Sequence, residues 1–275
     1  MEGNRLPCRK RRNGVARGRR VVGLTKEVIM SAVILALLVL AWEAGARSGL
    51  IPRFLLASPS EAMLYMMSHP RVVMSNFATT AWEVLLGLAA GASAGVLLGI
   101  LIFYSAPIRK MMYPLLVASQ VVPKVAVAPF LLLWFGYGLV PKVIVTGLMS
   151  FFPLVLNTLL GLTSVEPDMV DLGRSLHAPA LRMLSKIYLI SALPHMFAGL
   201  KTASTLSVIG AVVAEFTGSQ AGLGYLILMG LSYGETPMMA AALVLLFVLG
   251  VVLFVAVDVT ERTAIQWYYL ERENR

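Results

Sequence analysis

Charge is scarce in this chain. Only 13% of its 275 residues are Asp, Glu, Lys or Arg, against 58% that are apolar, whereas a soluble domain carries about 25% charged residues. A water-soluble globule is excluded on that ground. The single cysteine, Cys8, permits no intrachain disulfide and indicates no thiol chemistry. His69, His177 and His195 sit in loops or at the ends of apolar runs, and no H-E-x-x-H motif or Cys/His cluster has the spacing of a metal site. No metal or other cofactor is expected. The phosphate-cradling G-x-x-x-x-G-K-[ST] loop is absent, so the chain lacks the usual means of hydrolysing ATP. Gly91-Ala-Ser-Ala-Gly95 matches a bare nucleophile pattern, but it lies within an apolar run. That chemistry needs a strand-to-helix elbow and a histidine within reach. No catalytic residue is expected, and the chain reads as a non-enzyme.

Apolar runs are what the chain has in abundance. Six are read, at about 24–46, 76–103, 111–135, 139–163, 190–214 and 237–258, each able to cross the ~30 Å hydrocarbon core as a helix. Strand-length segments of alternating polarity are missing, which argues against an outer-membrane barrel. The fold class is therefore an all-α integral membrane protein with about six transmembrane helices. A basic tail (1–23), one membrane domain (24–258) and a polar C-terminal tail (259–275) make up the chain. The net charge of +9 is no nucleic-acid footprint, because nine of the 23 Lys and Arg fall between Arg5 and Lys26, just ahead of the first run. That placement holds an N-terminus in the cytoplasm. A signal peptide ending at Ala44-Gly-Ala46 has similar flanks, but the run continues through Trp42 and is long for one, so an uncleaved span is expected. Threading then puts both termini and the 164–189 loop inside, and 47–72 and the Lys142 loop outside. A short serine-capped helix is expected over Ser60–Met67.

Within the runs, four features stand out as packing or translocation-path residues. Gly87, Gly91, Gly95 and Gly99 recur every four residues and form one ridge without side chains, along which another backbone can approach in a bundle or a dimer. Pro123 and Pro129 break helix hydrogen bonds at membrane depth, where irregular backbone is tolerated only against protein or water. Lys124 beside them is either a snorkelling side chain or a wall of a path. Glu83 and Glu215 are costly in lipid and mark a path or a polar neighbour, although Glu215 also stands near the end of its run.

The loop between the fourth and fifth runs is long, charged and helix-compatible. Asp171-Leu172-Gly173-Arg174-Ser175-Leu176-His177-Ala178 lies in it, followed by Ile187-Tyr-Leu-Ile190 and Ala192-Leu193-Pro194. An amphipathic helix over Met169–Leu176, with Leu172 and Leu176 on one face and Asp171 and Arg174 nearby, suits a groove on a soluble partner. The spacing resembles the EAA loop of ABC importer permeases, with Asp171-Leu172-Gly173 where Glu-Ala-Ala is usual. His177 stands in place of the usual Gly and Ile190 in place of Pro. Further stretches resemble the nitrate/sulfonate/taurine branch, which also includes riboflavin and thiamine-precursor permeases. These are Val122-Pro-Lys-Val-Ala-Val-Ala-Pro-Phe130, Trp134-Phe-Gly-Tyr-Gly138, Phe151-Phe-Pro153 with Asn157, Gly199-Leu-Lys-Thr-Ala203, Ile209–Phe216 and Gly222-Leu-Gly-Tyr225.

The resemblance implies a type I importer permease in the bacterial inner membrane, acting as a homodimer. It implies a cytoplasmic ATPase that uses the ATP and grips the coupling loop, and an extracytoplasmic binding protein that delivers a small solute. The solute would be an anion of the nitrate, sulfonate or taurine kind, or a vitamin or its precursor. The competing reading is an ion-coupled secondary transporter, which would use intramembrane charges and inverted repeats.

Overall fold

The computed structural model describes residues 30, 33–48, 52 and 55–268. The basic tail, Cys8, the start of the first apolar run and residues 269–275 lie outside the described residues. The chain separates into two compact units, Met1–Glu61 and Ala62–Arg275.

In the first unit α1 (33–47) carries Trp42, whose indole Nε1 donates to the Ala57 carbonyl at 3.1 Å. Glu43 accepts from the Ser60 backbone N–H at 3.0 Å and from its hydroxyl at 2.8 Å. The unit ends in the first turn of α2 (Pro59–Ser68). That helix opens on a capping box. Ser58 Oγ accepts from Glu61 N–H at 3.2 Å, and Glu61 Oε2 accepts from Ser58 N–H at 2.9 Å, with Pro59 at the first helical position. The cap is thus Ser58, two residues ahead of the helix start expected at Ser60.

In the second unit follow α3 (Pro70–Tyr104), α4 (Ala106–Ser119), α5 (Ala128–Phe135), α6 (Leu139–Thr163), α7 (Pro167–Ser175), α8 (Ala180–Met183), α9 (Leu189–Gly218), α10 (Leu223–Tyr233) and α11 (Thr236–Ala264). Among the described residues four helices are long and apolar enough to cross a membrane: Pro70–Tyr104, Leu139–Thr163, Ala180–Gly218 and Thr236–Ala264. A fifth is reached if α4 and α5 count as one span bent by 85°. The single run read over 111–135 is therefore two helices, interrupted where its prolines fall. Pro123 supplies no N–H and drives Val122 out of helical geometry. A 3-10 turn at Lys124–Val127 then leads into α5, with Pro129 in its first turn.

Two further elements depart from the sequence reading. The eleven residues of α10 form an apolar helix that rises only about 16 Å, too short to cross. It buries Leu223 and Leu226 against Val84, Val208, Ala211, Met238 and Leu246. Its run resembled a loop because Gly222 and Gly234 interrupt it. At the other end α11 continues to Ala264, so the tail expected from 259 begins as helix.

α6 is central, with α3 and α9 packed along it. The glycine ridge is the α3 side of that packing, within this chain. A Cβ on Gly95 would lie 2.8 Å from the Phe151 carbonyl oxygen, and one on Gly99 would lie 2.9 Å from Thr158 Cβ. At Gly87 and Gly91 it would run into Thr146 and the Gly147 carbonyl. On the α9 side the close approach is made by Gly199 and Gly210, whose Cβ atoms would lie 2.7 Å from Asn157 Cβ and 2.9 Å from Thr146 Cα. Where lipid removes the hydrophobic gain of helix association, such small-residue contacts hold the bundle.

Candidate functional site

The loop after α6 folds as α7, two residues earlier than Met169 because Pro167 suits a first helical position. Gly173 lies on its inner face, and a Cβ there would meet Met183 Sδ and approach Ile187 Cδ1 to 2.8 Å. This contact seats α7 on the second half of its own loop, which runs through α8 and a π-helical turn at Leu184–Tyr188 into α9. The flank beside it is left bare: Met169, Leu172 and Leu176 are 50%, 60% and 72% exposed. Asp171 and Arg174 pair at 3.5 Å with both side chains in solvent, a contact worth about 0–1 kcal/mol. Ser175 Oγ returns to the Leu172 carbonyl at 2.8 Å.

His177, where the resemblance has Gly, is in the left-handed region at φ 52°, and among the described residues it is the only non-glycine with positive φ. The helix ends in a Schellman turn around it. Ala178 N–H donates to the Gly173 carbonyl at 3.1 Å and His177 N–H to Arg174 at 2.9 Å. The tight turn therefore forms without glycine, at about 1 kcal/mol of left-handed strain. In His177→Gly, amide exchange at residues 176–178 should slow by up to roughly fivefold, and in His177→Val it should accelerate. Hydrogen exchange with mass spectrometry reads both, and equal rates in the two variants would contradict the strain.

Glu83 and Glu215, on α3 and α9, are brought together, at 1% and 0% exposure. Glu83 Oε1 accepts from Lys142 Nζ at 2.7 Å, and the same ammonium donates to Ser219 Oγ at 2.6 Å. Glu215 Oε1 accepts from Thr80 Oγ1 at 2.6 Å. Its Oε2 accepts the Gly224 N–H at 2.5 Å, at the start of α10. The neighbouring N–H groups of Gly222 and Leu223 go to Asn76 Oδ1 at 2.6 Å and Thr80 Oγ1 at 2.7 Å. Gly222 is required twice over. Its φ is 120°, and a Cβ would overlap the Glu215 carboxylate. Glu215 thus caps a helix rather than merely closing its own.

Lys142 corrects the sequence reading. Placed there in an outside loop, it lies in the first turn of α6 with a side chain only 13% exposed. The signal available was Glu83 itself, since a buried carboxylate calls for a buried cation. A cavity of about 360 Å³ lies over the pair, lined by Thr79, Glu83, Tyr137, Lys142, Ser219 and Gln220. Lys124 belongs elsewhere. Its ammonium sits 4.6 Å from the centre of the Phe152 ring, at the break that Pro123 and Pro129 create. A second polar cluster was also missed: Lys201 of α9 meets Asp258 of α11 at 2.5 Å and also pairs with Glu261, while Arg262 meets Asp258 at 2.7 Å. Reading 259 onward as a tail set Glu261 and Arg262 apart from Lys201 and Asp258.

Residues 85–266, more than half the chain, match the family model "Binding-protein-dependent transport system inner membrane component". A Haemophilus influenzae protein named as a probable ABC transporter permease is 33% identical over 226 residues, covering 82% of this chain and 92% of that one. The formylaminopyrimidine transport permease ThiX of Halalkalibacterium halodurans is 34% identical over 232 residues, covering 84% and 92%. Among solved structures, a chain of an amino acid ABC transporter superposes with a TM-score of 0.58 at 16% identity, over 73% of this chain and 97% of that one. At that identity the likeness is one of fold.

Proposed function

The chain belongs to the binding-protein-dependent transport system inner membrane components, and from that premise we propose that α7 is the coupling helix by which a separate cytoplasmic ATPase drives it. Membership makes it the non-catalytic, multi-pass permease subunit of an ABC importer for a small solute. The observation that carries the finer reading is the bare apolar flank of Met169, Leu172 and Leu176 on a short helix that is seated on its own loop through Gly173. Three exposed apolar side chains on a polar loop have no reason to face water, and they match what a groove on a soluble protein would bury.

In this reading the α7 end is cytoplasmic, as are both termini, and the cavity over Lys142 opens on the opposite side, where a binding protein docks. The exposed apolar residues of the broken span, with Val121 at 85%, Leu133 at 80% and Tyr137 at 78%, face a second copy of the chain and the path between the copies. The solute is a small anion of the nitrate, sulfonate or taurine kind, or a vitamin or precursor such as the named solute of the formylaminopyrimidine relative.

Reconstitution in liposomes tests this. The purified chain alone should turn over no ATP, and with its ATPase and loaded binding protein it should form a complex whose hydrolysis rises on solute addition. Uptake by the chain alone, driven by a proton or sodium gradient, would replace this reading with a secondary transporter.

A further inference from the structure

The cluster at the start of α10 contains one more acid than it can balance. Two carboxyl groups, Glu83 and Glu215, face a single cation, Lys142, and all three are buried or nearly so. Three of the four carboxyl oxygens have a donor: Lys142 for Glu83 Oε1, Thr80 for Glu215 Oε1 and the Gly224 N–H for Glu215 Oε2. The fourth, Glu83 Oε2, is buried and receives no N–H or O–H donor among the described residues. Thr80, one turn before Glu83 on α3, holds Glu215 Oε1, and Lys142 bridges Glu83 to Ser219 after α9, so the two carboxyl groups share one buried cluster. Two carboxylates repel in such a cluster, whereas a carboxylic acid and a carboxylate can form a short, strong hydrogen bond.

We propose that Glu83 and Glu215 hold a single proton between them, making the pair a buried proton-binding site that is neutral together with Lys142. The groups facing the pair support the count. From α3 come Thr80 and Asn76, which are uncharged. From α6 comes Lys142, and from the turn after α9 comes Ser219. α10 supplies backbone N–H groups, whose partial positive charge of roughly half a unit is directed at Glu215. Tyr137 lines the cavity through which the proton exchanges with water. Among the described residues no cation besides Lys142 forms an ion pair with either acid. The shared proton completes the latch that holds the Gly222–Gly224 turn to α3. The latch is intact while the proton is bound, and rising pH removes the proton and sets two anions against each other. Glu215 then leaves Gly224, and the turn at the head of α10 loosens.

Infrared difference spectroscopy on the full chain in lipid nanodiscs tests it. At neutral pH the wild type should show the C=O stretch of a protonated, water-shielded carboxyl, and titration to alkaline pH should remove it. In the same pH window the 222–224 amides should begin to exchange faster. Both Glu83→Gln and Glu215→Gln should lack the band, because the remaining acid then ionises against Lys142. Lys142→Met should roughly double it, because the second acid then binds a proton too, and this variant decides the matter should a Gln variant fail to fold. No band in the wild type would mean that both acids are ionised and would overturn the proposal. So would a band that persists in either Gln variant, which would locate the proton on one acid alone. A band unchanged in Lys142→Met, or lost without faster exchange at 222–224, would also overturn it.

Discussion

In Leu176→Asp the ATPase subunit should no longer co-purify with the permease, and solute-stimulated ATP hydrolysis in liposomes should fall at least about tenfold. Leu176 is 72% exposed, beside Leu172 and Met169 on the bare face of α7. If a partner buries that face, one leucine contributes roughly 1.5–3 kcal/mol, and each 1.4 kcal/mol is about tenfold in affinity. An aspartate there loses that contribution and adds a carboxylate that must be dehydrated on docking. Arg174→Ala should be mild, because its exposed pair with Asp171 is worth about 0–1 kcal/mol. Neither change should reduce the amount of permease in the membrane, since α7 lies outside the spans. Full co-purification with full stimulation in Leu176→Asp would reduce α7 to a connector.

The second large effect is expected at Gly91. In Gly91→Leu the new side chain meets the Gly147 carbonyl oxygen and Cα, which belong to the central helix α6. A side chain in that position could rotate away, but backbone cannot. The helices must separate, and the contacts at Gly87, Gly95 and Gly99 weaken with them. Overpacking costs about 1–3 kcal/mol even where side chains can adjust, so here the folded chain should be largely lost. Gly250→Leu is the control, because nothing lies within 4 Å of a Cβ at that position on α11. Detergent-extracted yield and thermal unfolding of the two variants check this. Equal stability would mean that the α3–α6 ridge does not hold the bundle.

The ridge shows how far periodicity reaches. A four-residue spacing of glycine placed a close-packing face on α3, but it did not say whether α6 or another subunit would occupy it. The broken third span was legible in part. Its prolines signalled interruption, while the 85° bend follows from where α5 finds packing against α6 and α9. α10 was not legible, because an apolar helix of eleven residues falls below the length at which crossing can be argued and is flanked by glycines. His177 ran the other way. The family's glycine is replaced there, yet the Schellman hydrogen bonds and the seating of Gly173 on Met183 hold the left-handed conformation.

By itself the sequence determined that this is a helical membrane protein, where four of its long apolar helices lie, that it carries no ATP-hydrolysing loop, and to which family its motifs point. Composition, run length and motif order are properties of neighbours along the chain. Only the tertiary structure decided which charges compensate one another. Glu83 meets Lys142 across 59 positions and Thr80 meets Glu215 across 135. Each acid in isolation read as a path residue or the end of a span. A buried charge in a membrane is defined by its partner, and that partner is set by how helices cross rather than by any local pattern of residues.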